Sequence, residues 1–111
     1  MKNFIQEGNN ITLTAPYNVT SGDGLLVGSV FGVASNDALL NAEVQTQLTG
    51  VFSIKKTNAQ AWTQGALIYW DNTAKECTTT PTSNKLVGTA VAAAVNPSAR
   101  GLVRLNGAFT S

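Results

Sequence analysis

The chain has 111 residues, 43% of them hydrophobic and only 12% charged, with a formal net charge of +1 and no histidine. A chain of this length makes one domain that buries roughly two thirds of its unfolded surface, so it needs neither disulfide nor metal to be stable. The missing histidine excludes Ser-His-Asp and Cys-His nucleophiles and every His-ligated metal site.

Read in chain order, Ile11-Thr12-Leu13-Thr14-Ala15 alternates with a period of two, placing Ile11, Leu13 and Ala15 on one face of a strand that Pro16 ends. Ser21-Gly22-Asp23-Gly24 is a turn signal, because Gly and Asp tolerate the backbone angles of tight turns. Two strands follow, Leu25-Leu26-Val27 and Val30-Phe31-Gly32-Val33-Ala34, with a bend or bulge at Gly28-Ser29 and a close at Ser35-Asn36-Asp37. From Glu43 to Leu48 the alternation returns, with Val44, Thr46 and Leu48 on one face. The strand after Gly50 is expected to carry Phe52 and Ile54 to that same side.

Thr57-Asn58 has the chemistry to cap one helical turn, Ala59-Gln60-Ala61-Trp62, ended by Gly65. Such a turn is too short to stand alone, so Trp62 is expected to pack on the sheet. Leu67-Ile68-Tyr69-Trp70 is the most β-prone stretch, with a turn at Asp71-Asn72. Alternation puts Tyr69 and Trp70 on opposite faces, so one of them at most lies deep in the core. Residues 73–80 read as a strand interrupted at Pro81, residues 86–94 as another, then a turn at Asn96-Pro97-Ser98 and a closing strand over residues 101–105. The strings Leu26-Val27-Gly28-Ser29 and Leu86-Val87-Gly88-Thr89 are alike and read as equivalent bends. The fold class expected is all-β: a small compact β-barrel or sandwich of short strands with at most one short helical turn.

Chemistry is sparse. Asp23, Asp37, Glu43, Asp71 and Glu76 lie in or beside turn signals, where solvated caps are expected rather than a paired acid and base. No lysine follows a glycine, which removes the phosphate-binding loop. The seven Lys and Arg read as scattered, against a footprint for nucleic acid or anionic lipid, and a solvated strand end accounts for Lys55-Lys56. Trp62, Tyr69 and Trp70 read as packing rather than a stacking platform, with the outer of Tyr69 and Trp70 left for a subunit contact. Cys77, the lone cysteine, suggests a strand position in a reducing compartment or one buried by assembly. The start lacks the apolar stretch of a signal peptide, and no apolar run approaches ~18 residues, so synthesis in the cytoplasm is expected. The expectations are no catalytic, cofactor or metal residues, and no nucleic-acid, membrane or small-molecule partner. A charge density well below the usual quarter suits both a neutral β-domain and a chain packed against neighbours.

Certain strings narrow this reading: Met1-Lys2-Asn3-Phe4-Ile5-Gln6-Glu7-Gly8, Ile11-Thr12-Leu13-Thr14-Ala15-Pro16-Tyr17 and Gly24-Leu25-Leu26-Val27-Gly28, then Phe31-Gly32-Val33-Ala34, Trp62-Thr63-Gln64-Gly65, Ile68-Tyr69-Trp70-Asp71 and Val103-Arg104-Leu105-Asn106-Gly107. In order and spacing the sequence resembles the phage capsid cement (decoration) proteins catalogued as the DUF2190 family. It departs from them at Gly65-Ala66, where Gly-Asp is frequent, and near Ile54-Lys55-Lys56, where Leu-Pro-Lys is frequent.

The resemblance implies a structural virion protein on the outside of the expanded head that clamps major capsid subunits, often as a homotrimer, made in the host bacterial cytoplasm. It implies no enzyme. A tail or baseplate β-domain and a carbohydrate-binding or small hydrolytic domain, using Trp62 or Trp70 with an acid, are the alternatives. Residues 1–111 are expected to form one capsid-decoration domain, with 1–9 a candidate docking arm. Within it Lys2, Asn3, Phe4, Ile5 and Gln6 are the candidate partner interface, because Phe4 and Ile5 are too apolar for a free tail. The arm pairs either with the domain's own sheet or with a strand edge of a partner.

Overall fold

A computed structural model of the chain describes residues 10–106. Among them are nine strands and no helix: β1 (Asn10–Thr14), β2 (Gly24–Val27), β3 (Val30–Ala34), β4 (Glu43–Gln47), β5 (Thr49–Lys55), β6 (Leu67–Asp71), β7 (Glu76–Thr78), β8 (Lys85–Ala90) and β9 (Arg100–Asn106). They form two antiparallel sheets, a four-stranded one in the order β1-β4-β3-β2 and a five-stranded one in the order β5-β9-β8-β6-β7. The second sheet curls into a half-barrel. Just past β5, Lys56 bridges Cys77 of β7 in parallel, and Thr57 N donates to Cys77 O at 2.9 Å.

Alternation places the cores. β9 reads buried and exposed at every second residue, sending Gly101, Val103 and Leu105 inward and Leu102 and Arg104 outward. The main core gathers Phe31 and Val33 of the first sheet with Ile54, Ile68, Trp70, Cys77, Val87, Val103 and Leu105 of the second. The rings of Phe31 and Trp70 join the two sheets, with centroids 5.0 Å apart. A second cluster of Ala15, Val19, Leu25, Ala34 and Val44 fills the other face of the first sheet under its own loops.

Five local expectations are corrected. Phe52 and Ile54 do not share a side with Val44: the chain leaves the first sheet at Leu48, between β4 and β5, and the two sets enter different cores. Gly28-Ser29 is the two-residue turn of a hairpin in which Val27 pairs Val30, with Gly28 at φ 59°. Gly88 lies inside β8 beside the register shift against β6, where a Cβ would stand 2.1 Å from Arg104 O, so the two similar strings are not equivalent bends. No helical turn forms at residues 59–62. Thr57 donates its hydroxyl to Glu76 Oε2 (2.8 Å) instead of capping, and Trp62 and Ala94 exchange backbone hydrogen bonds. Finally, only Glu76–Thr78 of the expected 73–80 strand is ladder, and the rest is turn and coil.

Candidate interaction surfaces

The turn acids are structural ligands. Asp23 Oδ2 accepts from the backbone N and the hydroxyl of Thr20, Asp37 Oδ1 from Ser21 N, and Asp71 Oδ1 from Thr73 N and Ala74 N. Glu76, opposite Asp71 in the β6–β7 ladder, is a strand residue held by Thr57. Among the described residues no group of three or more acids or cysteines could hold a metal ion.

The deep aromatics are spent on packing. Trp62 and Trp70 are buried, and their indole N–H groups donate to Gln60 Oε1 (3.2 Å) and Asn72 Oδ1 (3.1 Å). Tyr69, on the opposite face from Trp70, stays half-buried, as alternation requires. Tyr17 donates its hydroxyl to Gly24 O at 2.6 Å; burial, reinforced by the Asp23 carboxylate, pushes its pKa up to about 12. Cys77 is buried by the fold itself, with no need of assembly. Its thiol is pushed up to about 12, first by desolvation and then by the Glu76 carboxylate.

Lys56 is not at a solvated strand end. The alternation that buries Ile54 and exposes Lys55 carries Lys56 inward, where its ammonium donates to Thr57 O (2.8 Å) and Ser98 O (3.2 Å), 5.7 Å from the centroid of the Trp62 ring.

What remains at the surface is aliphatic and sorted by charge. Leu39 and Leu40 are 71% and 53% exposed on the loop between β3 and β4, beside a groove of about 480 Å³ lined by Val19, Asp37, Ala38, Leu39 and Glu43 among others. On the second sheet, register aligns Leu67 with Thr89, Thr89 with Arg104 and Arg104 with Val51 in one outward row. Leu102, opposite Ser53, lies on the same outward face, and Val95 is exposed on the rim of the groove that Leu102 and Arg100 line.

The basic residues only seemed scattered. Residues 10–50 hold Asp23, Asp37 and Glu43 and no Lys or Arg, whereas residues 51–106 hold six cations against Asp71 and Glu76. The chain crosses between the sheets at Leu48, so the first sheet is acidic and the second basic, with Lys55, Arg100 and Arg104 on the second sheet's outward face. The signal was present in the sequence as a stretch of 52 residues, 3–54, without a cation.

The candidate interface residues Lys2, Asn3, Phe4, Ile5 and Gln6 lie outside the described residues. Comparison with curated proteins finds no match, nor does comparison with solved structures. The profile of one family, described as phage cement protein, matches residues 5–105, which spans both sheets and nearly the whole chain. With its polar side chains largely spent on holding the fold and a few aliphatic ones left exposed on its surface, the chain belongs to the phage cement protein family.

Proposed function

We propose that this phage capsid component binds the outside of the expanded head, as one decoration domain of residues 1–111, and stabilises the shell by clamping neighbouring major capsid subunits. It acts as a homotrimer and without catalysis. The observation that carries the reading is the outward row Leu67, Thr89, Arg104 and Val51, in which the exposed aliphatic side chains Leu67 and Val51 are held at fixed spacing on either side of Thr89 and Arg104. Many identical copies make modest contacts additive over a shell. The segment Lys2 to Gln6 adds to a strand edge of the capsid or of a neighbouring subunit, with Phe4 and Ile5 supplying fit. Purified protein mixed with expanded and unexpanded heads, followed by cryo-electron microscopy, tests this: density is expected on the outside of expanded heads alone. Absence of binding to expanded heads would overturn it.

A further inference from the structure

The two sheets present surfaces of opposite charge, and at their seam Lys55 and Lys75 already line one pocket with Asp23. The β3–β4 loop offers two exposed leucines beside Asp37 and Glu43, within residues 10–50, which hold no Lys or Arg. The outward face of β5 and β9 offers Val51 and Leu102 among Lys55, Arg100 and Arg104, with no carboxylate on either strand. Beside it lies a groove of about 190 Å³, lined by Ser53, Ala92, Val95, Ser98, Arg100 and Leu102. Arg100 lies across the neighbouring strand, donating to Ser53 Oγ at 3.0 Å and Ser53 O at 2.6 Å, which holds its charge flat against the sheet.

We infer that the acidic Leu39-Leu40 loop of one copy docks on the basic outward face of β5 and β9 of a second copy, head to tail. The occupant is argued from charge: each surface lacks the sign the other carries, and each has aliphatic side chains to bury at the centre. Opposed charges set the register and speed the encounter, while the leucines, withdrawn from water, supply the affinity. Because the two surfaces differ, the contact is heterologous, and it closes into a ring where the rotation allows. The inference rests on the self-association proposed above, and it draws on Val51 and Arg104, which also belong to the outward row described there.

Sedimentation equilibrium of the full chain tests it. L39K/E43K puts cations on the loop, and K55E/R104E puts carboxylates on the face. All four side chains are exposed, and thermal melts establish that each variant is folded. Each pair alone is expected to raise the self-association Kd at least about tenfold, and the fourfold variant, with both signs exchanged, to return toward the parent value. A second set, L40K and L102E, is expected to follow the same pattern. The parent's Kd is expected to rise with salt as the charges are screened. A parent that stays monomeric, single-side variants with an unchanged Kd, or a fourfold variant no tighter than its halves would overturn the contact. Head binding measured in parallel separates the two readings. Heads bound by a protein whose self-association ignores these charges would leave the capsid reading standing alone. Charge-dependent self-association without head binding would leave this contact standing alone.

Discussion

Gly101 lies so close to Trp62 that a Cβ on the glycine would stand 2.3 Å from Cζ3 of the indole and 2.7 Å from Cε3. The ring cannot retreat freely. Its backbone is tied to Ala94 in both directions, and its N–H is held by Gln60, which also binds Thr78 and the backbone N of Thr79. G101A is therefore expected to cost about 1–3 kcal/mol as overpacking, lowering the melting temperature by several degrees. An unchanged melt would mean that the loop carrying Trp62 yields without cost.

The adjacent lysines make an internal comparison. Lys56→Ala removes the donor to two carbonyl oxygens and leaves a gap beneath Trp62, an expected loss of about 2–4 kcal/mol. Lys55→Ala, on the exposed face of the same strand, is expected to change stability by no more than about 0.5 kcal/mol. Urea unfolding of the two variants gives the difference directly, and equal losses would contradict the inward placement of Lys56.

Cys77 sets an alkaline limit. Its thiol titrates at about 12 in the fold, against an ordinary 9.0, so above pH 9 the unfolded chain releases a proton that the folded chain keeps. Stability is then complete below about pH 9 and falls by roughly 1.4 kcal/mol per pH unit as pH rises toward 12. Tyr17, raised in the same direction but only half-buried, steepens the fall above pH 10 by a smaller amount. Denaturant midpoints measured from pH 7 to pH 11 test this, and Cys77→Ala is expected to flatten the decline. The native thiol should also be inert to a thiol reagent until the protein is unfolded.

Chelation should do nothing. Among the described residues no metal-ligand cluster exists, and the two apolar clusters suffice for stability. Far-UV circular dichroism is expected to report a β-rich fold whose melting temperature is the same with and without EDTA.

Deleting residues 1–7 is expected to leave the domain folded while reducing its binding to expanded heads. A large fall in the melting temperature would assign Phe4 and Ile5 to the domain's own sheet instead. Undiminished head binding by the folded deletion variant would remove the arm from the interface.

Much of this was legible in the sequence. Period-two alternation is a local signal, and it placed Ile11 and Leu13, Val44 and Thr46, and Tyr69 and Trp70 on the faces they occupy. It also held the answer for Lys56, which is in phase with Ile54; a presumption that charged residues stay in water obscured it. What alternation cannot carry is which sheet a strand joins. The chain changes sheet at Leu48, and with that crossing unread, Phe52 and Ile54 were expected on the side of Val44. The grouping of Lys55, Arg100 and Arg104 depends on β5 pairing β9 across some fifty residues of chain, which no local pattern announces. The helical turn at residues 59–62 failed because Gln60, Thr57 and Trp62 find better partners across space than a four-residue helix offers within itself.

The crossing at Leu48 has a mechanical side. Among the described residues, 10–47 complete one sheet and 49–106 the other, no ladder pair joins the two, and Phe31 packs on Trp70 across the seam. A load that pulled the acidic loop one way and the basic face the other would bear on side-chain packing across that seam and on the covalent thread at Leu48, because no hydrogen-bonded ladder spans the two sheets there. Packing of this kind yields by sliding over short distances and recovers, so a molecule gripped at both ends would give slightly under an outward push before any strand came apart.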